Sequence, residues 1–172
     1  NKFGQSKIIY NSLVKLKETN NFDQIKNRIL DKEILEMQHR GISLQKNDQE
    51  EFNNISEKLG KLSTDFSNNV LDATNKWFLI LNKKSEVDGL PERVLELMAI
   101  SAHNHLKKDE EVDIKNGPWK LSLDIPTYTS FMTYATDRNL REKLYKAFVG
   151  RASQGEKNNS QIIEEILSLR TK

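Results

Sequence analysis

One apolar stripe constrains this sequence more than any other feature. From Phe52 to Leu81, apolar residues recur in eight steps of about 3.6 residues, which is the period of an α-helix. The members of the stripe are Phe52, Ile55, Leu59, Leu62, Phe66, Val70, Ala73, Trp77 and Leu81. Asn47 followed by Glu50 resembles a capping box and predicts where the helix begins. Where it ends is open, because the apolar run WFLIL at 77–81 also suits a strand.

A second strand is predicted between positions 119 and 125. Apolar and polar residues alternate strictly there, as they do in a strand with one buried face. Asn116-Gly117-Pro118 just before it is a turn signal. We therefore expect 119–125 to pair with 77–81 as a small β-ribbon.

Helical spacing and end signals predict the remaining elements. The predicted helices run through Ile9, Leu13 and Leu16; from Phe22 through Met37 to Gly41; from Pro91 through Met98; from Pro126 through Met132; from Asp137 through Phe148; and through Ile162 to Leu169. The predicted fold is mainly α, a multi-helix array with the small β-ribbon, and no composition break forces a domain boundary. Because the chain starts at Asn1 and ends on a helical pattern at Lys172, we expect residues 1–172 to be one structural unit of a longer protein.

Charge and composition argue against several classes of partner. The chain has 27 basic and 25 acidic residues, a net charge of +2, so nothing drives it as a whole toward nucleic acid or a membrane. No apolar run approaches the roughly 20 residues that span a bilayer. The absence of cysteine excludes disulfides and thiolate metal sites and favours a reducing compartment.

The candidate metal ligands do not form a convincing site. On a helix continuing from Pro91, His103 and His105 point about 200° apart and cannot hold one ion. His39 is expected at a helix end, where its charge would suit the helix dipole. The acidic residues at 109–111 and Asp113 lack the spacing of a calcium loop, so we interpret them as a solvated loop.

The other candidate sites have ordinary interpretations as well. A basic stretch leaves open an RNA-binding helical domain, although its side chains scatter around the helix; it comprises Arg138, Arg141, Lys143, Lys146 and Arg151. The glycosylation patterns at Asn54 and Asn158 are attributed to chance. No phosphate-binding loop, nucleophile elbow or HExxH motif occurs. We therefore assign no catalytic residue and no metal ligand, and the substrate-binding residues stay unknown.

Several blocks of sequence, in the same order, resemble one enzyme family. NISEKLGKLSTDFSNNVLDATNKW is followed by DGLPERVLELMA, then by WKLSLDIPTYTSFMTYATDRNLREKLYKAFVGRAS and NNSQIIEEILSLR. HRGISLQKNDQEEF precedes them and fits the same pattern. Together the blocks cover most of residues 36–170. They resemble the oligopeptidase A branch of the thimet oligopeptidase family, which are zinc-dependent oligopeptidases.

The resemblance implies a helical, two-lobed metallopeptidase whose halves flank a deep channel for short peptides. Its zinc ligands belong to an HExxH helix and a more distal Glu in the catalytic half, and none of these residues is present here. The segment is therefore expected to be a non-catalytic scaffold and channel portion, inactive alone, with the downstream catalytic domain and short peptides as its partners. A cytoplasmic location is expected and an organellar one stays open. The alternative is a stand-alone helical interaction module without enzymatic activity.

The stripe helix also carries many polar residues, and the resemblance suggests why. Inside a large helical half, such a helix would meet neighbours on more than one side. Its stripe would pack in the core through Leu62, Phe66, Val70 and Ala73. Some of the polar residues would hydrogen-bond adjacent elements; the candidates are Ser63, Ser67, Asn68, Asn69, Asp72 and Thr74. A simple solvated face is the competing interpretation.

Overall fold

A computed structural model describes residues 4–19, 21–106 and 112–172. The elements in chain order are α1 (Lys7–Thr19), α2 (Gln24–His39), α3 (Lys46–Lys76), β1 (Phe78–Leu81), a 3-10 turn (Lys84–Val87), α4 (Glu92–Leu106), β2 (Trp119–Ser122), α5 (Ile125–Tyr134), α6 (Arg138–Val149) and α7 (Ser160–Arg170). The predicted mainly-α fold with a small β-ribbon is confirmed. Among the described helices, none is both long enough and apolar enough to cross a membrane.

The chain divides into two compact units, Asn1–Lys61 and Leu62–Lys172. In the first unit α1 packs against α2, which begins where the Asp23 side chain accepts a hydrogen bond from the Lys26 backbone N–H at 2.9 Å. Gly41 ends this helix with φ +83°, as predicted. The buried apolar residues of the first unit are Leu30, Met37 and Ile42.

The core of the second unit is built on the β-ribbon. β1 and β2 are antiparallel, with Leu79 opposite Leu121 and Leu81 opposite Trp119. Because side chains alternate across a strand, these four face one side, where α4 and α5 contact β2. The Trp119 indole N–H donates to the Ile114 carbonyl at 3.1 Å, so its polar atom is satisfied. The fully buried large side chains are Trp119, Phe131, Met98, Leu121, Leu123 and Leu144.

Aspartates begin the two helices that close this core, α5 and α6. Asp124 accepts from the Thr127 backbone N–H at 3.0 Å, and Asp137 accepts from the Leu140 backbone N–H at 3.0 Å. Burial opposes ionisation of Asp124, but hydrogen bonds from Ser122 and Thr127 outweigh it and lower the pKa of the carboxyl below its usual 3.8.

Two expectations about α3 are wrong in detail. The helix already includes Lys46, so Asn47 lies within the first turn and is not its cap. Of the stripe residues expected in the core, only Leu62 is buried, and Phe66 keeps 36% of its surface exposed. The reason is that the part of α3 in the second unit contacts the loop 150–159, which has few apolar side chains. The sequence left open where α3 ends. The structure ends the helix at Lys76 and forms a strand from Phe78 to Leu81.

Candidate functional site

A cleft of about 520 Å³ lies within the second unit. The C-terminal part of α3, the end of α6 and the loop 150–159 form its walls, and we call it the α3–α6 cleft. Its apolar lining comes from Ala73, Trp77, Leu123 and Ala147, and its charged lining comes from Lys76, Lys146 and Arg151. None of the lining residues is acidic. The cleft is therefore an apolar surface edged by positive charge.

Arg151 is held by contacts to α6 and α3. Its Nε donates to the Phe148 carbonyl at 2.8 Å, and an Nη donates to the Thr74 hydroxyl at 3.3 Å. The guanidinium lies 3.6 Å from the centre of the Phe148 ring, which stacks in turn on Tyr128. A cation over an aromatic face is attracted by the ring quadrupole, so these contacts fix the group without a carboxylate.

The loop that carries Arg151 is fastened to α3 by a pair of asparagines. Asn159 is only 3% exposed. Its side-chain oxygen accepts from the Asn69 amide at 2.8 Å, and its own amide donates to the Phe66 carbonyl at 3.1 Å. The Asn159 backbone N–H donates to the carbonyl of Ala152 at 2.8 Å. This polar pair ties both ends of the loop to one face of α3.

These contacts decide part of the question about the polar residues of α3. Asn69 and Thr74 bond to the loop, and Asp72 forms an exposed ion pair with Lys157. The predicted hydrogen bonding to adjacent elements is therefore confirmed for these residues. Ser67 instead donates to the Ser63 carbonyl of its own helix at 2.9 Å.

No protein-family model matches the chain. It is 41% identical over 172 residues to the probable cytosolic oligopeptidase A of Arabidopsis thaliana, a match that covers 98% of this chain and 24% of that protein. The organellar oligopeptidase A of the same plant, chloroplastic/mitochondrial by name, is also 41% identical, over 98% of this chain and 22% of that protein. Oligopeptidase A of Escherichia coli is 33% identical over 97% of this chain and 24% of its own length. The chain is a homologue of oligopeptidase A.

The resemblance predicted from the sequence blocks is thus confirmed. The chain spans about a quarter of the length of the curated relatives it matches. The match covers 98% of the chain and therefore reaches into residues 1–35, which the resembling blocks did not cover.

None of the three histidines of the chain lines the cleft. His103 and His105 are both in α4, as expected, and the His105 ring meets Phe78 edge-on with centroids 4.3 Å apart. His39 is the last residue of α2. Within residues 4–19, 21–106 and 112–172, no three His, Cys, Asp or Glu side chains are grouped as a metal site requires.

The acidic loop is described only in part. Residues 109–111 lie outside the described residues. The Asp113 carboxylate accepts from the side-chain amide of Asn116 at 2.8 Å and from two backbone N–H groups of the same turn. The hydrogen bond from the Asn116 side chain is the largest cause that lowers the pKa of the Asp113 carboxyl, and the backbone hydrogen bonds add to it. The same hydrogen bonds show that Asp113 stabilises this turn.

The basic stretch separates into two groups in the structure. Arg141 donates to the Ala135 carbonyl, whereas Lys146 and Arg151 border the cleft. Lys146 also pairs with Glu142 at 2.6 Å, and its hydrogen bond lowers the pKa of that exposed carboxyl. Sequence reasoning grouped these cations by position and missed Lys76, which joins them only through the fold. No local signal marks such a cluster.

Proposed function

We propose that this chain is a non-catalytic helical scaffold and substrate-channel portion of a zinc metallo-oligopeptidase that hydrolyses short peptides. The match of 98% of the chain to 24% of an oligopeptidase A carries the proposal. In this proposal the segment supplies framework and channel wall, and the remaining three quarters of the enzyme supply the catalytic residues. We assign it to the N-terminal helical region of that enzyme.

The fold of the second unit supports the channel role. Its core is closed by α4, α5 and α6, while the α3–α6 cleft stays open and is lined by side chains of both apolar and charged type. Binding sites for small peptides and other ligands are concave, mostly apolar surfaces with a few placed polar groups. The cleft has this character.

The residues that the structure describes do not fit a zinc site. Two histidines separated by one residue on α4 point in opposite directions, and the described residues offer no group of three ligands. The proposal therefore assigns zinc, which would polarise the attacking water, to a catalytic domain downstream in the same protein. The 172-residue segment by itself is expected to be inactive.

Exposed apolar side chains in the second unit support a contact with that catalytic domain. Leu97 on α4 is 56% exposed, Val149 on α6 58%, and Leu167 on α7 59%. We propose that these side chains contribute to that contact, because it would remove their apolar surface from water. Nucleic acid and membranes are not among the proposed partners. We propose a cytoplasmic location, as in the name of the probable cytosolic relative, while the organellar relative keeps the other location open.

The test uses the full-length gene product and a quenched fluorescent peptide of about ten residues, assayed with and without a zinc chelator. We expect cleavage that stops with chelator and returns with added zinc. Absence of cleavage by a folded, zinc-supplied protein would refute the proposed function.

The exposed apolar side chains also favour a second candidate, the stand-alone helical interaction module. The reading frame that follows Lys172 separates the two. An HExxH sequence with a further Glu supports the peptidase, and a stop codon close to Lys172 supports the module.

A further inference from the structure

We infer that the α3–α6 cleft binds the C-terminal carboxylate of a short peptide, with the side chain of the last peptide residue against Trp77. This inference rests on the proposed function, because it names a peptide as the ligand. It assigns a carboxylate-binding role to Lys76, Lys146 and Arg151.

Charge complementarity identifies the ligand group. Three cations line the cleft and no carboxylate lines it. Lys76 and Arg151 form no ion pair within the residues that the structure describes, and Lys146 has only its exposed partner Glu142. An anion entering the cleft therefore meets positive charge that is not already neutralised.

The preorganised guanidinium favours a carboxylate over a diffuse anionic surface. Arg151 uses Nε and one Nη for the Phe148 carbonyl and the Thr74 hydroxyl, and its stacking on Phe148 fixes the plane of the group. Its other N–H groups remain for a ligand, since a guanidinium has five donors. A planar donor group of this kind matches a carboxylate, and little side-chain entropy is lost because the group is already held.

The apolar wall favours a peptide over a free ion or a nucleic acid. Trp77 and Ala147, both half-buried, lie next to the cations in the same cleft. A free inorganic anion has no use for such a surface, whereas the last side chain of a peptide can cover it. RNA would require a longer run of phosphate contacts than three cations beside an apolar wall provide.

The surface next to the cleft has room for the preceding peptide residues. A second hollow of about 570 Å³ shares Ala73, Lys76, Ala152 and Gln154 with the cleft. Its remaining lining includes Glu156 and the ion pair of Asp72 with Lys157. The Gln154 amide can donate to a peptide carbonyl or accept from a peptide N–H. The two hollows are therefore adjacent, and an extended peptide can run across both with its carboxylate in the cleft, which is the part without acidic side chains.

The test measures peptide binding by calorimetry on the full-length protein, at low ionic strength and with chelator present so that no peptide is cleaved. The ligands are acetyl-Ala-Ala-Ala-Leu with a free C-terminus and the same peptide as its amide. We expect the free acid to bind about tenfold more tightly or better, since only the acid carries the charge that the cleft attracts.

The test variant is Lys76→Glu, and Lys143→Glu is the matched control. Both change an exposed lysine by the same charge, but Lys143 does not line the cleft. Lys76→Glu should abolish the preference for the acid and Lys143→Glu should retain it. If Lys76→Glu proves unfolded in a thermal melt, Lys76→Gln replaces it and should weaken acid binding severalfold.

Three results would overturn the inference: equal binding of acid and amide, an acid preference that survives the Lys76 variant, or inorganic phosphate or single-stranded RNA that competes as well as the acid peptide. Cleavage without acid preference would leave the proposed function standing. Acid-selective binding without cleavage would support the carboxylate site and refute the proposed peptidase function.

Discussion

The asparagine pair offers a direct test of how the polar residues of α3 act. Asn69→Ala removes the donor that lies 2.8 Å from the side-chain oxygen of Asn159, which is 97% buried. A buried acceptor left without a partner costs about 1–3 kcal/mol. The substitution also gains up to about 0.7 kcal/mol of helix propensity. The net loss of unfolding free energy should therefore be about 0.3–3 kcal/mol.

Asn68→Ala separates these two contributions. Asn68 precedes Asn69 on the same helix, is exposed, and gains the same propensity when replaced by alanine. The difference in unfolding free energy between the two variants should therefore isolate the buried hydrogen bond, at about 1–3 kcal/mol. Urea unfolding followed by tryptophan fluorescence gives both values, because Trp77 and Trp119 lie in the second unit.

A difference below about 0.5 kcal/mol between the variants would refute this reasoning, since that is the range of ordinary surface substitutions. It would mean that the polar side of α3 is a solvated face. A change in the denaturant slope of either variant would show that the substitution also altered the extent of unfolding.

Two further substitutions test the packing of the second unit. Gly89→Ala should lower the free energy of unfolding by about 1–3 kcal/mol or more. Gly89 has φ +85°, and a Cβ there would lie 2.3 Å from the Tyr134 carbonyl oxygen. A thermal melt that matches the parent protein would contradict this. Asp124→Ala should cost about 0.5–2 kcal/mol near neutral pH by removing the cap of α5. Because the folded pKa of Asp124 is lowered, this contribution is complete above the ordinary value of 3.8 and is lost as the pH falls through the folded value. Unfolding curves from neutral to acid pH should therefore show the gap between Asp124→Ala and the parent protein closing below pH 3.8, and a gap independent of pH would refute it.

The features predicted correctly are those that local sequence determines. The alternation at 119–125 predicts a strand with one buried face. The structure forms the strand over Trp119–Ser122 and buries Trp119, Leu121 and Leu123, whereas Ile125 begins α5 and is 57% exposed. Asp137 before an apolar helical pattern specifies an N-cap, and the hydrogen bond to the Leu140 N–H is present. Each of these outcomes depends on residues within a few positions of one another.

Burial of the α3 stripe could not be predicted in the same way. Periodicity indicates which side of a helix is apolar but says nothing about what covers it. Phe66 belongs to the stripe, but its side chain stays partly exposed. Its backbone carbonyl is engaged by the loop, as the acceptor of a hydrogen bond from the Asn159 amide. The covering element comes from the loop 150–159, far along the chain.

The cleft was beyond sequence reasoning for a related reason. Arg151 lies 77 residues from the Thr74 hydroxyl that it contacts, and Asn159 lies 90 residues from Asn69. Contacts at such separation depend on the path of the loop, which no periodic pattern encodes. The family resemblance does not help either, because it implies a channel without identifying the residues that line it.

The polar residues of α3 and the cations of the cleft belong to one arrangement. Asn69 fixes Asn159, whose backbone N–H holds Ala152, the neighbour of Arg151. Loosening the asparagine pair should therefore also loosen the guanidinium that the inference assigns to the carboxylate, whereas Asn68→Ala should leave it in place. Since Asn69 does not line the cleft, a loss of acid-peptide affinity in an Asn69→Ala variant that a thermal melt shows to be folded would point to the loop as the connection. The polar residues between the apolar positions of this helix would then serve to position a binding surface as well as to stabilise the fold.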